Sequence, residues 1–551
     1  MTDIAITGLG CRFPGAPDIS AYWKLLLSGQ RQFAAVPKER WNHETFHEPG
    51  DPSAPHAAYT DQVAFLDGVD RFDAGHYGVP PARARAMDPQ HRLLLDVTRE
   101  ALDDAGLGRG DFDRENTGVF CGLSVSDYKD LMSAPLRAIA LADDARQTAD
   151  GHGGVLDAVK EHAQALGSVQ PFSLPGSLLN MAPGTVSRHF DLGGPSFAVD
   201  AACSGSLVAL DQAVAQLRQG RCRIAVVGGV YLSLTPDGLI GFSTLRALSA
   251  TGVCRPFDEG ADGFVLGEGA GAVVVRPLED ALAAGDRVYA VIRGIGAAND
   301  GASPGPLAPA PEGQLRAMRR AYDDAGLAPS TVGFVEAHGT GTVTGDLVEV
   351  EALRRLRSEY PDDDPSLCYL GAGKALIGHS LSAAGIAGLI KTALVVHHRT
   401  IVPQPKTAAR PDLDIETAGL RLADGPRPFP ASGAPPPGAR RGPPRGRAPG
   451  FAAGARGAPR GRAGLPGPAG TGGGGARGGG PGAPPPARPA PMPAPPPPGP
   501  GRVPFVGVGR DERPRGSGGT ARPRTGPRSL PRCSHGTRRG RPTAARPALG
   551  R

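Results

Sequence analysis

The chain has 551 residues and a formal charge of +6, and that small total hides two unlike pieces. Residues 431–551 hold 22 Arg, no Lys and two acids, Asp511 and Glu512, a net of +20 that leaves −14 for residues 1–430. The split excludes reading the high isoelectric point as a basic folded surface. With 30 Gly and 28 Pro, the last 121 residues also carry too few apolar side chains to offset backbone ordering.

Residues 1–430 alternate short β-rich runs with helical periods, the pattern of an α/β class, and suffice for two core units. Ile4-Ala5-Ile6-Thr7 reads as a strand ending at Gly8. Arg92 to Ala105 reads as a helix, with Leu93, Leu94, Val97 and Ala101 on one face. Phe197-Ala198-Val199 is a strand, and Leu207, Val208, Leu210, Val214 and Leu217 then keep helical spacing. Arg223 to Val230 is another buried strand, and Ala272–Arg276, Val288–Ile292 and Phe334–Ala337 are strand-like. Helical stretches run over Gln314–Ala325, Leu347–Leu356 and Ala383–His397.

No apolar run reaches the roughly 20 residues that span a bilayer, so no membrane partner is expected. The Met1-Thr2-Asp3 start lacks the order of a signal peptide. Seven cysteines (11, 121, 203, 222, 254, 368 and 533) are scattered without a CxxC pair. That usage argues against a disulfide framework or structural zinc and points to a reducing cytoplasm. Beyond about Arg427 periodicity stops, and the tail reads as disordered low complexity. An Arg-Gly nucleic-acid tail would stack aromatics on bases, and here only Phe451 and Phe505 are present. Gly, Ala, Pro and Arg are what G/C-only codons spell, so a frameshift in a GC-rich gene explains the composition better than nucleic-acid binding.

Three polar constellations each follow a predicted strand and precede a predicted helix. They are Asp200-Ala201-Ala202-Cys203-Ser204-Gly205, Glu336-Ala337-His338-Gly339-Thr340-Gly341-Thr342, and Gly373-Lys374-Ala375-Leu376-Ile377-Gly378-His379. Carboxyl ends of strands are where ligand-contacting groups gather in open α/β sheets, so one thiol and two imidazoles can meet there. Cys203 opens a helix, where unpaired N–H groups and the helix dipole favour thiolate, and its small neighbours leave room for an acyl group. Cys11, Cys121, Cys254, Cys368 and Cys222, the last placed in an apolar strand, read as buried structural thiols. His338 and His379 taken singly are as readily core residues as catalysts, and the adjacent His397 and His398 point apart on a helix. A Cys-His-His metal site lacks close ligand spacing. Gly8-Leu9-Gly10 and Gly339-Thr340-Gly341 have Phe13 and Thr344 where a dinucleotide fingerprint needs its third glycine.

Together these motifs closely resemble the β-ketoacyl synthase (ketosynthase) domain of type I polyketide synthases, among the thiolase-fold condensing enzymes. The resemblance starts at Ile4-Ala5-Ile6-Thr7-Gly8-Leu9-Gly10-Cys11-Arg12-Phe13-Pro14-Gly15 and continues through Met87-Asp88-Pro89-Gln90-His91-Arg92. Cys254-Arg255-Pro256-Phe257-Asp258, Ala261-Asp262-Gly263-Phe264 and both histidine motifs extend it to about Pro430. It implies a duplicated, layered α-β-α-β-α fold: a nucleophile half over 1–255, a histidine half over 256–430, then the disordered 431–551 tail. It implies Cys203 as nucleophile accepting an acyl chain from the phosphopantetheine of an acyl carrier protein. His338 and His379 then promote decarboxylation of a malonyl-type extender, whose enolate attacks the Cys203 thioester. Lys374, with Glu349 as its partner, supports the histidines electrostatically, and Thr340 and Thr342 hydrogen-bond the pantetheine arm. A homodimer is implied; no metal or organic cofactor is.

Two departures stand out. Where the family reads Lys-Ser-Asn-Ile-Gly-His-Thr-Glu, the chain reads Lys374-Ala375-Leu376-Ile377-Gly378-His379-Ser380-Leu381, closer to iterative branches. The family's closing Gly-Phe-Gly-Gly-Thr-Asn-x-His segment, source of its last strands and an oxyanion-hole donor, has no counterpart in 431–551. The alternative function is therefore an impaired, truncated ketosynthase that acts at most as a structural partner.

Overall fold

The computed structural model describes residues 2–108, 110–148, 153–166, 169–301, 309–360, 367–406, 408–429 and 502–503. The 431–551 tail, with its frameshift and nucleic-acid readings, lies outside the described residues apart from Arg502–Val503.

The first strand, β1 (Ile4–Arg12), runs well past the expected stop at Gly8. Gly8 and Gly10 are not turn residues; they let a helix lie on the strand. A Cβ at Gly8 would sit 2.1 Å from the Ala101 carbonyl oxygen, and one at Gly10 2.2 Å from that of Val97. That helix, α1 (Pro89–Asp104), starts at Pro89 with Asp88 as its cap, the carboxylate accepting from the Gln90 N–H at 2.8 Å. It buries Leu94, Leu95, Val97 and Ala101.

Five further strands complete the first sheet: β2 (Thr117–Gly122), β3 (Ser196–Val199), β4 (Ile224–Tyr231), β5 (Gly269–Pro277) and β6 (Ala290–Ile292). Their order is β6-β1-β5-β4-β2-β3, with Arg502–Val503 parallel beside β6. β5 and β6 lie beyond the 1–255 half expected from sequence, yet β5 sits at the centre of this sheet, antiparallel to both β1 and β4. The second sheet has three parallel strands among the described residues: β7 (Phe334–Glu336), β8 (Cys368–Gly371) and β9 (Leu420–Arg421).

Between β2 and β3 the chain forms α2 (Asp127–Thr148) and α3 (Gly153–Ala165). The later helices are α4 (Gly205–Arg218), α5 (Pro311–Ala325), α6 (Val343–Ser358) and α7 (Ala384–His398). α1 packs outside the first sheet, and α5 and α6 cover the outer face of the second. α4 and α7 lie between the sheets in the largest apolar cluster. The layers are therefore α-β-α-β-α.

The duplication is visible in the two central helices. Each is entered through a residue with positive φ, Ala202 at 47° and Leu381 at 40°, opening a short 3₁₀ turn. The first turns of the two helices are bonded to each other, Ser206 Oγ accepting from the Ile386 N–H at 2.9 Å, and the second 3₁₀ turn is tied to β4, Ser382 Oγ donating to the Val230 carbonyl at 2.7 Å. Leu381–His398 is an 18-residue stretch apolar enough by composition to cross a membrane, closer to that length than the sequence reading allowed. Here 67% of it is buried inside the fold.

Candidate active site

β3, β7 and β8 each end in one of the three polar constellations. After β3, the Asp200 carboxylate accepts from the Ala202 N–H at 3.1 Å, and Cys203 follows inside the 3₁₀ turn Ala202–Ser204 that leads into α4. After β7 comes the His338–Thr342 loop that opens α6, and after β8 the Lys374–Ile377 turn, Gly378 and His379. The structure brings the three ends together. Cys203 Sγ lies 3.1 Å from His379 Nε2, and the His338 and His379 rings stand 5.5 Å apart and nearly perpendicular.

His379 is held by backbone. Its N–H donates to the Val265 carbonyl at 2.7 Å, and its carbonyl accepts from the Gly267 N–H at 3.1 Å. That close pairing needs Gly378 at φ 69°, where a Cβ would sit 2.8 Å from the Val265 carbonyl oxygen. Phe264 sets its ring edge-on to the imidazole at 5.2 Å. Burial pushes the His379 pKa well down, with Lys374 and His338 acting in the same direction, so the ring is neutral near pH 7. Its Nδ1 is buried with no hydrogen-bond partner among the described residues. His338 is exposed and Cys203 half-buried, so a ligand can reach both.

Glu349 does something the sequence did not reveal. Its carboxylate accepts from the N–H groups of His338 at 2.6 Å and Gly339 at 2.8 Å, fixing the loop that carries His338. One turn earlier on α6, Asp346 accepts from the Gly341 N–H at 3.1 Å and the Phe257 N–H at 2.7 Å. Burial raises both carboxyls, Asp346 to about 7. Lys374 is half-buried and its pKa lowered by desolvation, opposed first by Glu336 and then by Glu349. The carboxylate that acts most on Lys374 is thus Glu336, which also accepts from the Gly373 N–H at 2.6 Å and pairs with Lys391 at 2.5 Å. The sequence motifs assign no role to Asp346, Glu336 or Lys391. The signals were present: a carboxylate three residues before Glu349 on one helix face, an acid ending an apolar strand, and a lysine inside an apolar helix.

The Thr340 and Thr342 hydroxyls stand 3.0 Å apart at the start of α6. A cavity of about 70 Å³ beside the site is lined by Cys203, His338, Lys374, Leu207, Met318 and Phe334, among others. Among the described residues no group of three His, Cys, Asp or Glu side chains is arranged to hold a metal ion. Cys11, Cys121, Cys254 and Cys368 are buried, and burial pushes the thiols of Cys121, Cys254 and Cys368 up to about 12. Cys222 is buried just ahead of β4 rather than within a strand, its thiol raised to about 11. His397 packs against Tyr289 and His398 stacks on Trp23, so neither reaches the site.

A thiol at a helix entrance, two imidazoles and two threonines at strand ends of a duplicated α-β-α-β-α fold define a thiolase-like condensing enzyme. Residues 1–281 match the beta-ketoacyl synthase N-terminal domain and residues 289–407 the C-terminal domain, and the chain belongs to the β-ketoacyl synthase family. It is 41% identical over 437 residues to a phenolphthiocerol/phthiocerol polyketide synthase protein of Mycobacterium bovis, covering 78% of this chain and 21% of that protein. To polyketide synthase ThaG of Burkholderia thailandensis it is 39% identical over 435 residues, covering 78% of this chain and 7% of that one. The chain thus spans about a fifth or less of these relatives. Among solved structures it is similar to the oxazolomycin ketosynthase domain OzmH KS7 of Streptomyces albus JA3453 (TM-score 0.68, 35% identity, 78% of this chain and 70% of that one). The ketosynthase from module 6 of the bacillaene synthase of Bacillus subtilis 168 gives 0.65 at 32% identity, covering 78% and 67%.

Proposed function

We propose that this chain carries out the decarboxylating Claisen condensation of polyketide, or related fatty-acid, chain extension. The observation that carries the reading is the 3.1 Å approach of Cys203 Sγ to His379 Nε2 with the His338 ring alongside. The Cys203 sulfur attacks the thioester carbonyl of an acyl chain on the phosphopantetheine of an acyl carrier protein. The carrier thiolate leaves with a proton, and the acyl group stays on Cys203. This splits the condensation into two easier steps. A malonyl-type extender on carrier protein then loses its carboxylate as CO2. The electron pair of the broken C–C bond passes into an enolate, whose oxygen His338 and His379 stabilise as hydrogen-bond donors. The enolate carbon attacks the Cys203 thioester, the sulfur leaves, and β-ketoacyl-carrier protein is released.

The neutral state of His379 suits this role, since a ring that stays uncharged can donate from Nε2 without a counter-ion. Thr340 and Thr342 bind the pantetheine arm, Glu349 positions the His338 loop, and Lys374 supplies positive potential to both imidazoles. The substrates arrive on phosphopantetheine, so no metal or organic cofactor takes part. The working form is a cytoplasmic homodimer.

The test uses acyl- and malonyl-carrier protein with mass-spectrometric readout. Cys203→Ala is expected to abolish acyl loading, whereas His338→Ala is expected to load normally and fail to condense. Loading on another cysteine would overturn the assignment.

A further inference from the structure

One buried ion pair is fully assembled and lies outside the cluster of Cys203, His338 and His379. Glu268 stands between the two-residue strand Leu266–Gly267 and β5, and no part of it reaches solvent. Its partner, Arg40, precedes it by 228 residues. Arg40 Nη1 donates to Oε1 and Nη2 to Oε2, both at 2.8 Å, a bidentate fork.

The same four atoms also grip the main chain of two other segments. The Leu66 N–H donates to Glu268 Oε2 at 2.7 Å, and Arg40 Nη2 donates to the Leu66 carbonyl at 2.8 Å. The Ser233 N–H donates to Glu268 Oε1 at 3.0 Å, and Arg40 Nη1 donates to the Ser233 carbonyl at 3.4 Å. Leu66 and Ser233 are buried, where each main-chain donor and acceptor needs a partner. One ion pair supplies all four.

What this clamp holds in register leads to His379. On one side Leu266–Gly267 pairs parallel with Val63–Ala64, and the Glu268 N–H donates to the Ala64 carbonyl at 2.9 Å. On the other side Leu266 pairs parallel with His379, through the Val265 carbonyl and the Gly267 N–H. Glu268 and Leu66 follow directly on these paired segments, so tying one to the other fixes the register of both strands. The imidazole depends on that register. A functional histidine is commonly oriented through its second ring nitrogen, but His379 Nδ1 has no partner among the described residues. Its aim at Cys203 Sγ therefore comes from its backbone and the packing of Phe264. A buried ion pair adds little net stability over apolar side chains of the same volume, and fixing register is its best-attested use.

We propose that Arg40 and Glu268 are positioning residues for His379. Their grip on Leu66 and Ser233 sets the register of Leu266–Gly267, and that strand aims the imidazole at the reacting centre. This rests on the condensing reading of the site and adds two residues to it.

The full chain is compared with Arg40→Met/Glu268→Gln, which leaves no unpaired charge, and with Glu268→Gln alone. kcat and KM for decarboxylation of malonyl-carrier protein are measured well below each melting midpoint. Small displacements of a reacting group cost up to about a hundredfold, so kcat of the double variant should fall about 10- to 100-fold. KM should stay within about twofold of wild type, the split that marks a loss felt in the transition state. The double variant should also melt above Arg40→Met, and Glu268→Gln, which still accepts from Arg40, should have an intermediate kcat. A double variant with wild-type kcat, or a loss confined to KM, would overturn the proposal and leave the condensing reading standing. If the double variant is insoluble, Glu268→Gln decides, and a wild-type kcat from it overturns the proposal. A wild type that does not decarboxylate malonyl-carrier protein would remove both.

Discussion

Replacing Glu349 by Gln separates positioning from stability. In the native protein its carboxylate takes two short N–H bonds, from His338 at 2.6 Å and Gly339 at 2.8 Å. Hydrogen bonds to a charged acceptor contribute about 1.5–3 kcal/mol each. Gln keeps one carbonyl acceptor, but its NH2 faces a backbone N–H, so one bond is lost and the other loses its charge assistance. If about 2–3 kcal/mol of this appears as misplacement of the His338 loop, the chemical step slows by about 30- to 150-fold, at 1.4 kcal/mol per tenfold. Stability should move little, because burial already raises the Glu349 pKa and a neutral amide escapes that cost. The assay measures CO2 release from malonyl-carrier protein, acyl loading of Cys203 and thermal melting on the same preparations. The expected pattern is slow decarboxylation with loading and melting close to wild type. Equal loss of loading and decarboxylation, or a large fall in the melting midpoint with unchanged rates, would refute the reasoning.

His379 carries a pH signature. Its folded pKa is depressed, so below the unfolded value of about 6.5 only the unfolded chain takes up the proton, and stability falls with pH. Relative to His379→Gln, the wild type should lose about 1.4 kcal/mol per pH unit below about 6.5; parallel denaturation curves at pH 7.5, 6.5 and 5.5 would contradict this. Gly8→Ala sets a Cβ 2.1 Å from the Ala101 carbonyl oxygen, and the forced shift of α1 should cost about 1–3 kcal/mol or more, read by denaturant titration. Arg40→Met leaves the wholly buried Glu268 without the guanidinium that holds both its oxygens at 2.8 Å. The expected loss is about 3–5 kcal/mol, seen as a lower melting midpoint or insoluble protein.

The residues of the candidate site were legible because their motifs are local. Cys203, His338 and His379 each sit within a few residues of a strand end, and three strand ends of one fold converge whatever the loops between them do. Strand type was legible where burial on both faces left apolar runs, as in β4. Gly8 misled because glycine reads as a break, and its actual reason, the approach of α1, lies about ninety residues away in the chain. The place of β5 failed to show for the same reason. Nothing in Gly269–Pro277 says that it inserts between β1 and β4 and closes a sheet begun at residue 4.

Electrostatic partners were the least legible part, and the reason is geometric. Pairing Lys374 with Glu349 followed motif spacing, and the two do act on one another, but opposite charges meet in space, and Glu336 at the end of the adjacent strand acts on Lys374 as well. Glu349 also binds backbone, which any carboxylate can do and no side-chain pattern announces. The consequence is a division of labour. Glu336, Lys391 and Lys374 set the potential behind the imidazoles, while Asp346 and Glu349 fix the loop that presents His338 and Thr340. Lys391→Met should therefore strand the Glu336 charge and act through Lys374, pulling the pH profile of decarboxylation with it. Glu349→Gln should lower the rate at every pH and leave the profile in place. The same shift of the profile in both variants would mean that the two sets of charges act as one network, and that positioning and potential are not separable at this site.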